Sequence, residues 1–195
     1  MSEEPQVEGP IDLFVFSHQS TPQAFDDVEK LVEAGTIRFS ARITGPYNLF
    51  TCHEVANLNE AHDAVLSLLG VVPPRIGDSN TIEGGRTFAA NPAICDEMGP
   101  LRVKRTPPCP FEAFIQVTAA PGQDRRALLA AVSVGATYRG SCIVSGGYDI
   151  LLELGAGSLT TLEEGLDAAR ATAGIGRFIP SLSQTTGPVA GDCPR

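Results

Sequence analysis

Lysine is nearly missing: the 195-residue chain has only Lys30 and Lys104, beside twelve arginines and 23 acidic residues, for a formal net charge of −9. Proteins hold polyanions by displacing counterions with clustered Lys and Arg. The tightest cluster here, Arg102, Lys104 and Arg105, is short and sits in a Pro-rich stretch, so direct nucleic-acid binding is not expected. No apolar run reaches the roughly 18 residues of a membrane-spanning helix, so no membrane partner is expected either. The start, Met1-Ser2-Glu3-Glu4-Pro5, lacks the basic and apolar regions of a secretion signal, which predicts a cytoplasmic protein. There is no Cys-x-x-Cys among the five cysteines, and an odd count in that compartment predicts reduced thiols. Cys52 and Cys142 read as small buried residues within strand-like runs. Cys95 and Cys109 flank the basic segment, with a conditional disulfide between them as the other possibility, and Cys193 lies in the tail. Gly-x-Ser-x-Gly, the P-loop and Gly-x-Gly-x-x-Gly are all absent, and Gly140-Ser141-Cys142 reads as strand. His18, His53 and His62 have no metal-ligand spacing, so no metal is expected.

What is present is a core-forming composition, 43% hydrophobic and 19% charged, and an internal repeat. Arg42-Ile43-Thr44-Gly45-Pro46-Tyr47-Asn48-Leu49-Phe50 recurs as Ile143-Val144-Ser145-Gly146-Gly147-Tyr148-Asp149-Ile150-Leu151, an offset of 101 at the tyrosines. The same offset carries Leu13-Phe14-Val15 onto Phe114-Ile115-Gln116 and Asn57-Leu58 onto Ser158-Leu159. A duplicated module predicts a pseudo-symmetric pair whose shared interface is the first place to seek function.

The pattern along each copy is β-α-β-β-α-β. After a loose tail (residues 1–10), Ile11 to His18 reads as a strand. Thr21-Pro22 opens a helix with Phe25, Val28, Leu31 and Val32 at helical spacing, and Gly35 stops it. Thr36 to Ile43 and Tyr47 to Val55 make a hairpin, and Asn57 with Glu60 forms a capping box for a second helix. Arg75 to Glu83 is the expected fourth strand. The second copy gives strands at Glu112–Ala119, Ala136–Val144, Tyr148–Leu154 and Ile175–Thr185, with helices entered near Pro121-Gly122 and at Ser158. The expected fold is α+β, two ferredoxin-like repeats (11–83 and 112–186) packed sheet to sheet as a pseudo-dimer. A Pro-rich crossover (84–111) would join them, and 187–195 would be a second loose tail.

An apolar strand ending in [Thr/Ser]-Gly-x-Tyr-[Asp/Asn]-[Leu/Ile]-[Leu/Phe], followed by a helix and a Thr-containing strand, resembles the effector-binding domain of the Lrp/AsnC regulators of amino-acid metabolism. Phe114-Ile115-Gln116-Val117, Val144 to Leu151 and Ser183-Gln184-Thr185-Thr186 carry the likeness best; the first copy has Asn48 where the family has Asp. With only ten residues before the first strand, there is no room for the family's helix-turn-helix. The resemblance implies a stand-alone module that binds an amino acid or related metabolite and forms a homo-oligomer, a ring of pseudo-dimers among the options. It would act through a protein partner and need no cofactor.

Ligand-binding candidates are Thr44, Gly45, Tyr47, Asn48, Ser145, Gly146, Gly147, Tyr148 and Asp149. Each has a plain structural reading. The glycines can serve turns, the tyrosines can pack a sheet edge, and Asp149 can either meet a ligand ammonium or cap the turn's own amides. The alternative is a dimeric α+β-barrel enzyme, of monooxygenase, cyclase, isomerase or haem-handling type, with a pocket between the sheets. Under that reading Tyr47, His53, Tyr148 and Arg139 are the catalytic candidates and haem or flavin the cofactor.

Overall fold

The computed structural model describes residues 11–19, 22–68, 90–95, 108–185 and 193–194. Within them the first half holds β1 (Ile11–Ser17), α1 (Pro22–Glu33), β2 (Phe39–Arg42), β3 (Leu49–Val55), α2 (Leu58–Leu68) and β4 (Ala90–Cys95). The second half repeats that order with β5 (Phe111–Ala119), α3 (Arg125–Val132), β6 (Tyr138–Gly146), β7 (Ile150–Ala156), α4 (Leu159–Arg170) and β8 (Ile175–Gln184). No described helix is long and apolar enough to cross a membrane.

Side-chain chemistry explains the local choices. α2 begins with the expected capping box: Asn57 Oδ1 accepts from Glu60 N–H (3.0 Å), and Glu60 Oε2 accepts from Ala56 N–H (2.9 Å). Ser158 caps α4, its Oγ accepting from Thr161 N–H. The cap of α3 is Asp124, whose carboxylate accepts from the N–H groups of Arg126 and Ala127. The helix therefore starts beyond the Pro121-Gly122 turn at which the sequence suggested its entry.

The strands form one antiparallel sheet in the order β2-β3-β1-β4-β6-β7-β5-β8. The two halves meet where β4 pairs with β6. At the outer edges Thr44, just past β2, exchanges two backbone hydrogen bonds with Leu182 of β8, 2.8 and 3.2 Å. The sheet thus closes on itself into a barrel, where the sequence suggested two separate sheets face to face.

Both faces of the strands are covered, which is why β1 and β5 read as near-continuous apolar runs. Leu13 and Val15 turn outward under α1 and α2, with Val28, Ala61 and Leu68. Ala113, Ile115 and Val117 turn outward under α3 and α4, with Leu128, Val132, Leu162 and Ala169. Inside, Phe14, Phe16 and Phe50 of the first half meet Phe114, Cys142, Val144, Tyr148 and Leu151 of the second. The rings of Phe50 and Phe114 stack across the halves at 4.5 Å. Such a pair adds about 0.5–1.5 kcal/mol beyond its buried area.

Three expectations need correction or lie elsewhere. Residues 90–95, placed in the crossover on account of their proline, form β4 and pair with both β1 and β6. Pro92 stands outside the Ala93–Cys95 ladder with β6, so its missing N–H interrupts nothing there. The strand expected at Arg75–Glu83 falls outside the described residues, as do the first tail and much of the crossover. The cysteines are not all thiols: Cys95 is bonded to Cys142 and Cys109 to Cys193, while Cys52 is buried and in no disulfide. The fold, not the linker, sets these pairings, because Cys95 is a β4 residue lying against β6.

Candidate functional site

The repeated hairpins end at one rim of the barrel. There Asn48 and Asp149 do the same work. Asn48 Oδ1 accepts from Gln19 N–H (2.7 Å) and its Nδ2 donates to Gln19 O (2.8 Å). Asp149 Oδ2 accepts from Ala119 N–H (2.9 Å), and Arg125 Nη1 stands 4.0 Å from Oδ1. Each ties its hairpin to the end of the first strand of its own half. The sequence left Asp149 two roles, a ligand ammonium or a backbone amide, and its carboxylate accepts from a backbone N–H here.

The glycines also answer to the chain. A Cβ on Gly146, at φ +155°, would lie 2.5 Å from Pro92 O, and one on Gly147 would lie 2.2 Å from Asn91 Oδ1. They let β4 approach the β6–β7 hairpin. Gly45, at φ +135°, sits against Pro180 and Ser181 beside the seam that Thr44 makes with Leu182. Ser145 is exposed and pairs with Ile94.

Tyr47 and Tyr148 converge. Tyr148 is 3% exposed, with its ring edge-on to Phe16 at 5.8 Å. Tyr47 also touches Phe16, at 6.1 Å. Together with Pro46, Asn91, Gln116, Thr118, Gly147, Arg177 and Ile179 they line a cavity of about 120 Å³ between the halves. Two buried polar atoms among the lining residues have no hydrogen-bond partner, Gln116 Nε2 and Tyr148 OH. Burial, and then the neighbouring Tyr47, push the Tyr148 phenol well above its ordinary pKa, so it stays a donor. Arg177 is the one charged lining residue.

The four catalytic candidates are not brought together. Only Tyr47 and Tyr148 share the cavity. His53 pairs with Leu13 on the helix-facing side of β3, its Nε2 2.9 Å from Thr51 Oγ1. Burial lowers its pKa to about 4. Arg139 lies at the other end of the sheet, where a Cβ on Gly155 would touch it and Cys109. It partly offsets the burial that raises the pKa of Glu112. A second cavity, about 280 Å³, runs between α3 and α4 past Thr137, Thr161 and Glu164. No histidine, tyrosine or basic side chain lines it. Among the described residues no cluster suits a metal ion.

Asn91, Gln116, Thr118, Arg177 and Ile179 were not anticipated. The signal for Gln116 was a polar residue inside the apolar run Phe114 to Val117 of β5.

No family model matches this sequence, and no curated protein is significantly similar to it. Solved structures do match. A mutant chlorite dismutase from Candidatus Nitrospira defluvii, crystallised with cyanide, aligns over 92% of both chains at a TM-score of 0.53 and 14% identity. Its fold is similar to this one. A candidate chlorite dismutase aligns over 91% of this chain and 95% of its own at 0.51 and 7%. A haem-binding protein from Thermus thermophilus reaches 0.46 at 13%, covering 92% of each chain, a likeness too slight to argue from.

These matches overturn the assignment to the Lrp/AsnC effector domain, and with it the amino-acid regulatory module. The motif that carried the resemblance is explained by the barrel's own needs: glycines where β4 docks, an Asn or Asp where a hairpin is tied down. The expectation that no cofactor is needed rested on that assignment and falls with it.

Proposed function

We propose that the chain is a single-chain α+β-barrel enzyme, a duplicated pseudo-dimer whose site is the rim cavity between its halves. Chlorite dismutases are named for an enzymatic activity, which supports an enzyme over a regulatory module at the level of shared fold. The observation that carries the site is a pair of buried, partnerless donors, Gln116 Nε2 and Tyr148 OH, on two residues that line one cavity. Leaving such a group unsatisfied costs about 1–3 kcal/mol, so a bound molecule that accepts from both relieves the cost.

Tyr148→Phe tests this. Without ligand the variant should melt at or above the wild-type temperature, because a buried unmet hydroxyl is removed; with ligand it should lose the stabilisation that wild type shows. A lower melting temperature for the ligand-free variant would mean that the hydroxyl has a structural partner and no ligand role.

Haem is the cofactor that the fold brings forward, and the described residues do not fit it. His18 and His62 are exposed, and His53 faces the helices. Apart from the rim cavity, the interior between the halves is packed with phenyl rings. The two cavities found among the described residues fall below the roughly 300–1,000 Å³ of typical ligand sites. Haemin titration should therefore give no stoichiometric Soret band; a tight one-to-one band would put the haem-handling reading first.

A further inference from the structure

Resting on the rim cavity as the site, we infer that its ligand is a small anion with a flat oxygen-bearing head, a carboxylate or an inorganic oxyanion. The polar groups that point to this can all donate. Tyr148 OH and Gln116 Nε2 are buried and partnerless, and both residues are 3% exposed. Arg177 is exposed and lies on β8 opposite Thr118. Among the described residues no carboxylate pairs with its guanidinium or lines the cavity. A guanidinium fork matches two coplanar oxygens, and charge-assisted bonds of this kind are about twice as strong as neutral ones. An ammonium-bearing ligand finds no acid here, because Asp149 is bound to Ala119 N–H.

Size narrows the class. At about 120 Å³ the cavity is well below the roughly 300–1,000 Å³ of drug-sized ligand sites. Formate, acetate and nitrate fit; a porphyrin or flavin does not. The two donors are fixed by the sheet, Gln116 in the middle of β5 and Tyr148 against Phe16, so they need little reordering to bind. The other half offers no second copy of this site. Ser17 faces Leu49 and Val117 faces Ile150, so the first strands correspond at an offset of 100 and the hairpins at 101. Phe16 therefore occupies the position of Gln116, and fills it with a ring.

The test is isothermal titration of the full chain, in a buffer free of carboxylates, with sodium acetate, sodium nitrate and the neutral isostere acetamide. Acetate or nitrate should bind, with acetamide at least about tenfold weaker, as expected if the charge-assisted bond contributes on the order of one decade. Arg177→Gln should weaken the anion by a similar factor without altering the melting temperature of the free protein. Preference between acetate and nitrate tells an organic from an inorganic ligand. Equal binding of acetate and acetamide, or an unchanged affinity in Arg177→Gln, would overturn the anion while leaving the cavity as a site, provided Tyr148→Phe still abolishes acetamide binding. Binding of none of the three would overturn the inference outright.

Discussion

His53 is the residue at which pH should act most directly on stability. Buried beside Thr51, it has its pKa lowered to about 4 in the folded chain, against about 6.5 when unfolded. Between those values the unfolded chain binds the extra proton, so stability is full above pH 6.5, falls as pH drops toward 4, and changes no further below that. The loss is on the order of 3 kcal/mol. Denaturant melts from pH 7 to pH 4 should show it, and His53→Gln should flatten the curve in that window. A wild-type curve already flat there would mean that the imidazole is protonated in place. At this same scale the sequence was only partly readable. The recurrence of Tyr47 and Tyr148 was visible, and both line the cavity. The engagement of Asp149 by Ala119 N–H was not, because both of its roles need the same residue type at the same turn. Arg177 carried no local mark, since its place beside Tyr148 is set by strand pairing far along the chain.

At the scale of elements, the two hairpins look alike in sequence and differ in what they must accommodate. A Cβ added to Gly45 would find its nearest neighbours at 3.4 Å, whereas one on Gly146 would meet the Pro92 carbonyl oxygen at 2.5 Å. Both lie at positive φ, a strain of about 1–3 kcal/mol for an L residue. Gly146→Ala adds a clash with backbone that only a shift of β4 can relieve. It should therefore lower the melting temperature more than Gly45→Ala does, and equal effects would mean that β4 yields freely. Most elements were legible because capping and periodicity are local, as at Asn57-Glu60 and Ser158. β4 was not, because Pro92 contradicts strand propensity and only the β1 and β6 neighbours override it. The slip of one residue between β1 and β5 was also hidden. In a strand a single step exchanges the two faces, so the sequence offset matched Val15 with Gln116 where the sheet matches Phe16.

At the scale of the whole molecule, the α+β class and the repeated order were readable from the sequence save for the strand that ends the first half, and the closure of the sheet was not. Closure depends on one bridge, Thr44 with Leu182, separated by more than a hundred residues and marked by no motif. The junction of the halves on the other side is different in kind. There β4 pairs with β6, and the Cys95–Cys142 disulfide crosses the same junction. Disulfides persist in oxidising compartments, so these two pairs bear on the expected cytoplasmic location, which reducing and non-reducing mass spectrometry of the native protein would address.

The barrel therefore has a spine and an opening, like a bound book. Along the spine a covalent bond holds the halves; along the fore-edge two backbone hydrogen bonds and one from the Thr44 hydroxyl do. Local openings follow the weakest cooperative contacts. The amides of Thr44 and Leu182 should exchange with deuterium well before those of Phe14 or Ile115, and reduction of Cys95–Cys142 should leave that order unchanged. Gly45 and Ser181 lie at this fore-edge, so the protein's interior is reached by leafing apart β2 and β8, with the aromatic pages still attached at the back.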